Sequence, residues 1–349
     1  MKKILLYITL LGAIISLVVF FSKEKIANKE DSSIPKIEVE KNSFNYKNNM
    51  QVLPYKDGFI IYDGNDLAFK DDKFKDKFDV RLKSDNFVLK TSKDDFIYVL
   101  DKSNRILYKI DSSGDISSQA KFVETGIDVY PLENKQVILH YSTSVKTDGV
   151  IIYDKDLQAI NNISYPNALI NDIIYDSYTK KILLSAQTLD YTQILNAIYS
   201  YNDKYEVQEI NQFKNLVTTA MEVTNNKIFL CDPQSVYIMD KELTATNKIE
   251  ADDSFSNVRV VNDKIYLQDG PKLVKIFDKD AKLLKEMASD EPIFNIYFKD
   301  SNPILIGKNF FTYQNEKTDV TQDVLKSVFV NNKTLILFFR NSYQTIKLQ

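Results

Sequence analysis

Enzymatic chemistry needs nucleophiles, bases or metal ligands at workable spacing, and this chain supplies few of them. It has one histidine, His140, and one cysteine, Cys231. A Ser/His/Asp triad or a His-rich metal site would rest on His140 alone. That residue sits in Val137-Ile138-Leu139-His140-Tyr141, which reads as the interior of a strand, so its expected role is structural. Cys231 closes a similar run, Ile228-Phe229-Leu230-Cys231, and is expected as a half-buried strand residue, because a free cysteine packs like a small hydrophobe. A lone cysteine also excludes an intrachain disulfide and any Cys/His cluster at metal-ligand spacing. Only eight glycines are present, with no Walker or dinucleotide pattern to cradle a phosphate.

The Asp-rich stretches Asp63-Gly64-Asn65-Asp66 and Asp278-Lys279-Asp280 have oxygen ligands to offer calcium, but they lack the full ligand series and the terminal Glu. Tight hairpins demand the same residue types, and turn chemistry is the expected reading. The mixed-sign run Lys70 to Asp79 reads as a solvated edge. The sequons at Asn162 and Asn332 would matter only in a eukaryotic secretory pathway. No catalytic, cofactor-binding or metal-ligating residue is assigned, and no cofactor is expected.

Stepping from side chains to the elements that must carry them, the 349 residues are 44% hydrophobic, in the globular range. Forty-five basic and 48 acidic residues are spread along the whole chain for a net charge of -3, which argues against a phosphate-tracking surface and against a nucleic-acid partner.

The first 22 residues stand apart. After Met1-Lys2-Lys3, residues 4–21 carry no charge, and thirteen of these eighteen are Leu, Ile, Val or Phe. As a helix the run is about 27 Å long, close to the hydrocarbon thickness of a bilayer. Its insertion is favourable by roughly 4 to 8 kcal/mol. Residues 1–22 are therefore expected to form a signal-anchor transmembrane helix, with the N-terminus cytoplasmic and the rest of the chain extracytoplasmic in a single-pass cell-membrane protein. No cysteine follows the run, which excludes a lipoprotein signal. Cleavage near Ala27 is the competing outcome, and it would place Lys25 where a small residue is wanted. Residues 23–43 are charged, lack aromatics and contain Pro35, so they read as a flexible tether.

From residue 44 to 349 no helical period is sustained. Short β-branched and aromatic runs alternate with Asp, Asn, Gly, Lys and Ser clusters, and the class is all-β. The runs recur as pairs of strands joined by a tight polar turn, clearest in residues 96–116, 227–246 and 264–284, with weaker copies at 58–72, 136–160, 181–206, 303–317 and 334–349. The residue after each second strand marks the period: Asp71, Asp111, Asp154, Asp203, Asp240, Asp278 and Gln314, with Gln349 in the equivalent place, spaced by 35 to 49 residues. A period near forty with about four strands per unit is that of a β-propeller blade. Eight copies predict eight blades, or seven if the first copy belongs to ring closure. Residues near Phe44-Asn45-Tyr46 are expected to supply the last outer strand. A β-sandwich would not show this regular self-similarity.

One copy carries a motif as well as a pattern. Tyr98-Val99-Leu100-Asp101-Lys102-Ser103-Asn104-Arg105-Ile106-Leu107-Tyr108-Lys109-Ile110-Asp111, followed by Gly114, resembles the NHL and YVTN-type propeller repeat. The other copies share only strand alternation and the terminal Asp. The resemblance implies a fold and little chemistry, because such propellers serve as interaction platforms, ligand binders and occasionally enzymes. The chain has no Trp, which departs from WD40, from quinoprotein-type repeats and from the Asp-box of sialidases.

Two functions follow as expectations. The first is a membrane-anchored binding or scaffold propeller in the bacterial cell envelope, with a protein or glycan partner. The alternative is a propeller hydrolase, lactonase-like or cyclotransferase-like, with carboxylates lining the central channel around a metal.

Overall fold

A hairpin with two apolar strands cannot bury both faces by itself, so each copy of the repeat must stack on the next, and here the stack closes into a ring. The computed structural model describes residues 38–144, 147–190, 193–224 and 227–348. The expected membrane helix and residues 23–37 of the expected tether lie outside them. Among the described residues no helix is long and apolar enough to cross a membrane.

The described chain forms eight four-stranded antiparallel sheets, one per blade of a β-propeller. In each blade the strands run A to D from the channel outward. The A strands are Gln51–Tyr55, Phe87–Thr91, Thr125–Pro131, Leu169–Asp176, Ala220–Thr224, Phe255–Val261, Ile293–Lys299 and Lys326–Val330, in blades 1 to 8. The recurring hairpins of the sequence are the B and C strands, for example Ile97–Asp101 with Ile106–Ile110 in blade 2 and Lys264–Asp269 with Leu273–Asp278 in blade 6. Their residues are buried on both faces, as in Tyr98, Val99 and Leu100, because each blade is covered by a neighbour on either side. The core therefore lies between blades. Leu100 and Leu107 of blade 2 pack with Val129 and Leu139 of blade 3, and Ile138 of blade 3 packs with Leu184 of blade 4.

The marker residues build one repeated C-to-D turn. Oδ1 of Asp71, Asp111, Asp154, Asp240 and Asp278 accepts the backbone N–H groups two and four residues on, at 2.8–3.1 Å. The residue three after each marker has positive φ: Phe74, Gly114, Leu157, Leu243 and Ala281. In blade 4 the equivalent residue is Asn202, not Asp203, since Asn202 Oδ1 takes the amides of Lys204 and Glu206. An amide oxygen accepts as a carboxylate oxygen does, so the turn is kept while the pattern shifts by one position.

Ring closure corrects the expected boundary. The outer strand of blade 8 is Glu38–Ser43, paired antiparallel with Ser342–Lys347, inside the stretch read as tether. A D strand is the exposed outer strand of its blade, so a polar sequence such as EVEKNS serves there. Phe44 and Tyr46 do contribute: their N–H groups donate to the carbonyls of Asn341 and Arg340. Their rings pack on Phe338 at centroid distances of 5.6 and 6.0 Å, in an aromatic seam that includes Phe59 and Phe74 of blade 1.

Candidate functional site

Because strand direction alternates, one face of the ring carries the A-to-B and C-to-D turns. The other carries the B-to-C hairpins and the D-to-A connections, and the channel runs between them. On each A strand one residue is buried between blades: Val52, Leu89, Val129, Ile173, Met221, Val258, Ile296 and Val328. Of the residues flanking it, Val88, Tyr130, Ile174 and Tyr297 also pack into the cores between blades, while the polar ones lie on the inner strands. Charged and amide groups gather on one arc: Lys90, Asp128, Asp172, Glu222, Asn257, Arg259 and Asn295.

Several of these side chains have a structural duty. The A strands of blades 3, 4, 6 and 7 have register shifts ending at Asp128, Asp172, Asn257 and Asn295. A bulge frees a backbone amide. In three of them the side-chain oxygen of the residue itself accepts the next N–H: Asp128 that of Val129, Asp172 that of Ile173 and Asn295 that of Ile296, at 2.8–2.9 Å.

The charges are then paired around the arc. Lys90 Nζ lies 3.1 Å from Asp128 Oδ2, and Arg259 lies 3.3 Å from Glu222 Oε1. Asp172 Oδ2 accepts the Met221 N–H at 2.7 Å. Burial pushes the Asp172 carboxyl up against the pull of those amides and of Lys90, and it stays above its ordinary value. Burial likewise raises Glu222, with Arg259 opposing. The inner strands thus carry three carboxylates, Asp128, Asp172 and Glu222. Among the described residues, however, no group of three His, Cys, Asp or Glu side chains converges as a metal-binding set.

His140 is buried, and its Nε2 is 2.9 Å from Asp148 Oδ2, which also accepts the Ile170 N–H. The imidazole thereby joins blade 3 to the start of blade 4, and burial lowers its pKa despite the Asp148 carboxylate. Cys231 is fully buried, not half-buried as its run suggested, since a B strand is covered on both faces; burial drives its thiol pKa well up. Both Asp-rich stretches are turns. Asp63 Oδ1 caps the N–H groups of Asn65 and Asp66 beside Gly64 at φ +92°, and Asp278 is a C-to-D marker. Lys70 to Asp79 is the outer edge of blade 1, laced by Lys70–Asp76 and Lys77–Asp71 pairs. Asn162 accepts the Tyr141 hydroxyl proton at 2.7 Å, and Asn332 sits in an A-to-B turn.

Two features escaped the sequence pattern. On the turn face, a cleft of about 320 Å³ opens at the inner strands of blades 2 to 4, between Lys90, Lys93, Tyr130, Glu133 and Tyr175. The opposite face is mostly polar, with exposed Lys83, Asp253, Lys272, Lys308 and Arg340 among others, but among the described residues it also exposes several large apolar side chains. Val123, Leu169, Val217, Phe294 and Leu325 all lie in D-to-A connections or at the start of A strands, and all are exposed, Phe294 at 55% and Val123 at 77%. The long hairpins of blades 3 and 4, built on Val137–Ser144 with Thr147–Tyr153 and on Lys181–Asp190 with Gln193–Tyr201, extend toward the same face.

No family model and no curated protein matches the sequence. Solved structures with the same fold do match. BamB from Moraxella catarrhalis aligns over 89% of this chain and 100% of its own, with TM-score 0.63 and 8% identity. The computationally designed Ika8 protein covers 87% and 98%, with TM-score 0.67 and 8% identity. BBS1N, crystallised in complex with ARL6DN, covers 73% and 87%, with TM-score 0.51 and 10% identity. At these identities the likeness is one of fold, and it establishes a propeller repeat protein.

Proposed function

We propose that this chain is a membrane-anchored, extracytoplasmic propeller that acts as a binding or scaffold module for a protein partner in the bacterial cell envelope. The carrying observation is the set of exposed apolar side chains on the connection face. Five large hydrophobic side chains are exposed on the connection face, three of them, Val123, Leu169 and Val217, in the blades that raise the long hairpins or next to them. Exposed apolar groups gathered on one side of a soluble ring are a cost to solubility that a partner would relieve. The uncharged run at residues 4–21 supports the anchor, and the propeller crystallised as BBS1N with ARL6DN is an instance of this fold engaging a protein. A hydrolase would use the channel carboxylates, but these are engaged by Lys90, Arg259 and backbone amides.

The test is crosslinking in intact cells followed by capture of the full-length chain. Phe294→Asp with Leu325→Asp, and Val123→Asp with Val217→Asp, are compared with a turn-face control, Lys93→Asp. At least one connection-face pair is expected to lose a partner that the control retains. Equal capture by all three variants would overturn the assignment.

A further inference from the structure

Two lysines are buried in the ring, and they are solvated in opposite ways. Lys275 is met by two carboxylates, Asp252 and Asp269. Lys109, on the C strand Ile106–Ile110 of blade 2, is 6% exposed, yet among the described residues no carboxylate forms an ion pair with it. Its Nζ donates to the Lys155 carbonyl and lies 3.8 Å from the centre of the Phe96 ring. An ammonium has three N–H donors. One is taken by the carbonyl and the ring faces the head group, which leaves donor capacity toward the cleft that Lys109 lines.

That cleft holds about 230 Å³ at the seam of blades 2 and 3, next to the larger cleft at the channel mouth, with which it shares Ser92, Asp94 and Leu132. Its volume is roughly that of seven waters at about 30 Å³ each. Phe96, Tyr98 and Leu132 give it an apolar wall. The charged groups around Lys109 come from three turns: Asp94 in blade 2, Lys135 in blade 3, and Asp154, Lys155 and Asp156 in the C-to-D turn of blade 3. Asp94, Lys135 and Asp156 are exposed to solvent, and Asp156 is paired with Lys155. The rim therefore carries a net charge of -1, from carboxylates of which none is in ion-pair contact with the cation at the floor.

The repeat shows that the fold does not ask for a lysine here. Counted two residues before each turn marker, the equivalents of Lys109 are Phe69, Ile152, Ser200, Ile238, Ile276 and Thr312. A buried cation without an anion is costly, and a site that keeps one commonly does so for a ligand.

We propose that this cleft binds a small monocarboxylate, whose anionic oxygens complete the coordination of Lys109 Nζ while its carbon skeleton lies on Phe96, Tyr98 and Leu132. The inference is independent of the partner assigned to the opposite face. Burial holds the Lys109 amine below its ordinary pKa, against the pull of Asp156, Asp154 and Asp94.

Benzoate is the probe, with benzamide as its neutral isostere, titrated against the full-length chain in detergent and followed by ligand-observed NMR. Benzoate is expected to saturate, and benzamide to bind at least about tenfold more weakly, the loss of one charge-assisted hydrogen bond. Lys109→Met is expected to lose benzoate binding by a similar factor without a lowered unfolding midpoint. As a measurement that needs no variant, benzoate should protect Lys109 from acetic anhydride in peptide mapping while Lys135 and Lys155 stay reactive. Equal affinity for benzoate and benzamide, full binding by Lys109→Met, or no protection of Lys109 would each overturn the proposal.

Discussion

Replacing Lys275 by methionine keeps the volume of the side chain and removes its charge from between two carboxylates. Asp269 is 1% exposed at its side chain and sits 2.6 Å from Lys275 Nζ, so the substitution leaves a buried carboxylate without its cation. Breaking such a pair costs about 3–5 kcal/mol. Two features of this site set the value at the low end. Asp269 keeps the N–H groups of Asp252 and Asp253, at 3.0 and 2.9 Å. The second partner, Asp252, is 84% exposed, and that leg contributes at most about 1 kcal/mol. The expected loss is therefore about 2–3 kcal/mol, read as a lowered urea midpoint at unchanged slope. Adding Asp269→Asn should restore part of it, with a coupling of about 1–2 kcal/mol in the double-mutant cycle. Burial pushes the Asp269 carboxyl up, but Lys275 and the two amides overcome it and leave it below its ordinary value. Its contribution is thus present above about pH 4 and lost as pH falls through the folded value. Lys109→Met is the counterpart: with no carboxylate in ion-pair contact among the described residues, its replacement should be neutral or stabilising by up to about 2 kcal/mol. Equal destabilisation by both methionine variants would refute the contrast between a compensated and an uncompensated lysine.

Three further outcomes test other parts of the fold. Gly114 fills the left-handed turn position at φ +95°, where a Cβ would lie 2.8 Å from the Phe78 ring; Gly114→Ala should cost about 1–3 kcal/mol in thermal unfolding, although Leu157 and Ala281 occupy the equivalent position elsewhere. His140 is held below its ordinary pKa of about 6.5. The unfolded chain therefore binds its proton first, and stability should fall with pH below about 6.5, by at most about 1.4 kcal/mol per unit, until the folded value is reached. Asp172 and Glu222, held above their ordinary values, act with the opposite sign, so the measurement is the difference between the wild type and His140→Gln, which should lose this component. Phe338→Ala, at the centre of the closure seam and fully buried, should cost about 3–5 kcal/mol and raise hydrogen exchange in Ser342–Lys347.

The B and C strands were legible because burial on both faces makes them near-continuous apolar runs, and Tyr98-Val99-Leu100 or Phe229-Leu230-Cys231 declare themselves. Blade number followed from counting them. The D strands were not legible, because their exposure permits sequences such as Ile116–Lys121 or Glu38–Ser43, and the latter was indistinguishable from a charged tether by composition. The A strands were hidden by their bulges, which place Asp128, Asp172, Asn257 and Asn295 where an apolar alternation would have been visible. Channel charge was therefore beyond reach of a reading centred on hairpins. Lys109 was within reach: aligning the turn markers puts it in a column that is otherwise mostly apolar, an inconsistency between local residue and fold of the kind that marks a site.

The two faces of the ring divide its chemistry. The turn face is rich in Asp, Lys and Asn because its five-residue turns need carboxylate and amide caps, and those caps are then spent on backbone amides. Ligand recognition there has to come from side chains outside the turn pattern, and Lys109 is such a residue. The connection face has Asp caps in the B-to-C hairpins of blades 1, 2 and 5, from Asp63, Asp101 and Asp232, while its D-to-A loops expose Val123 and Leu325 and the hairpins of blades 3 and 4 are longer. Blade 3 takes part in both: its C-to-D turn supplies the Lys155 carbonyl to Lys109, while its B strand holds His140 against Asp148 and the first residues of blade 4. A rigid blade that touches a small-ligand cleft at one end and the partner face at the other is the shortest physical path by which occupancy of one could bias the other. Coupling would require blade 3 to have two arrangements that both ligands distinguish, and the buried His140–Asp148–Ile170 junction is one of the hydrogen-bonded contacts, with Tyr165–Tyr201 and Gln136–Tyr205, through which blades 3 and 4 meet.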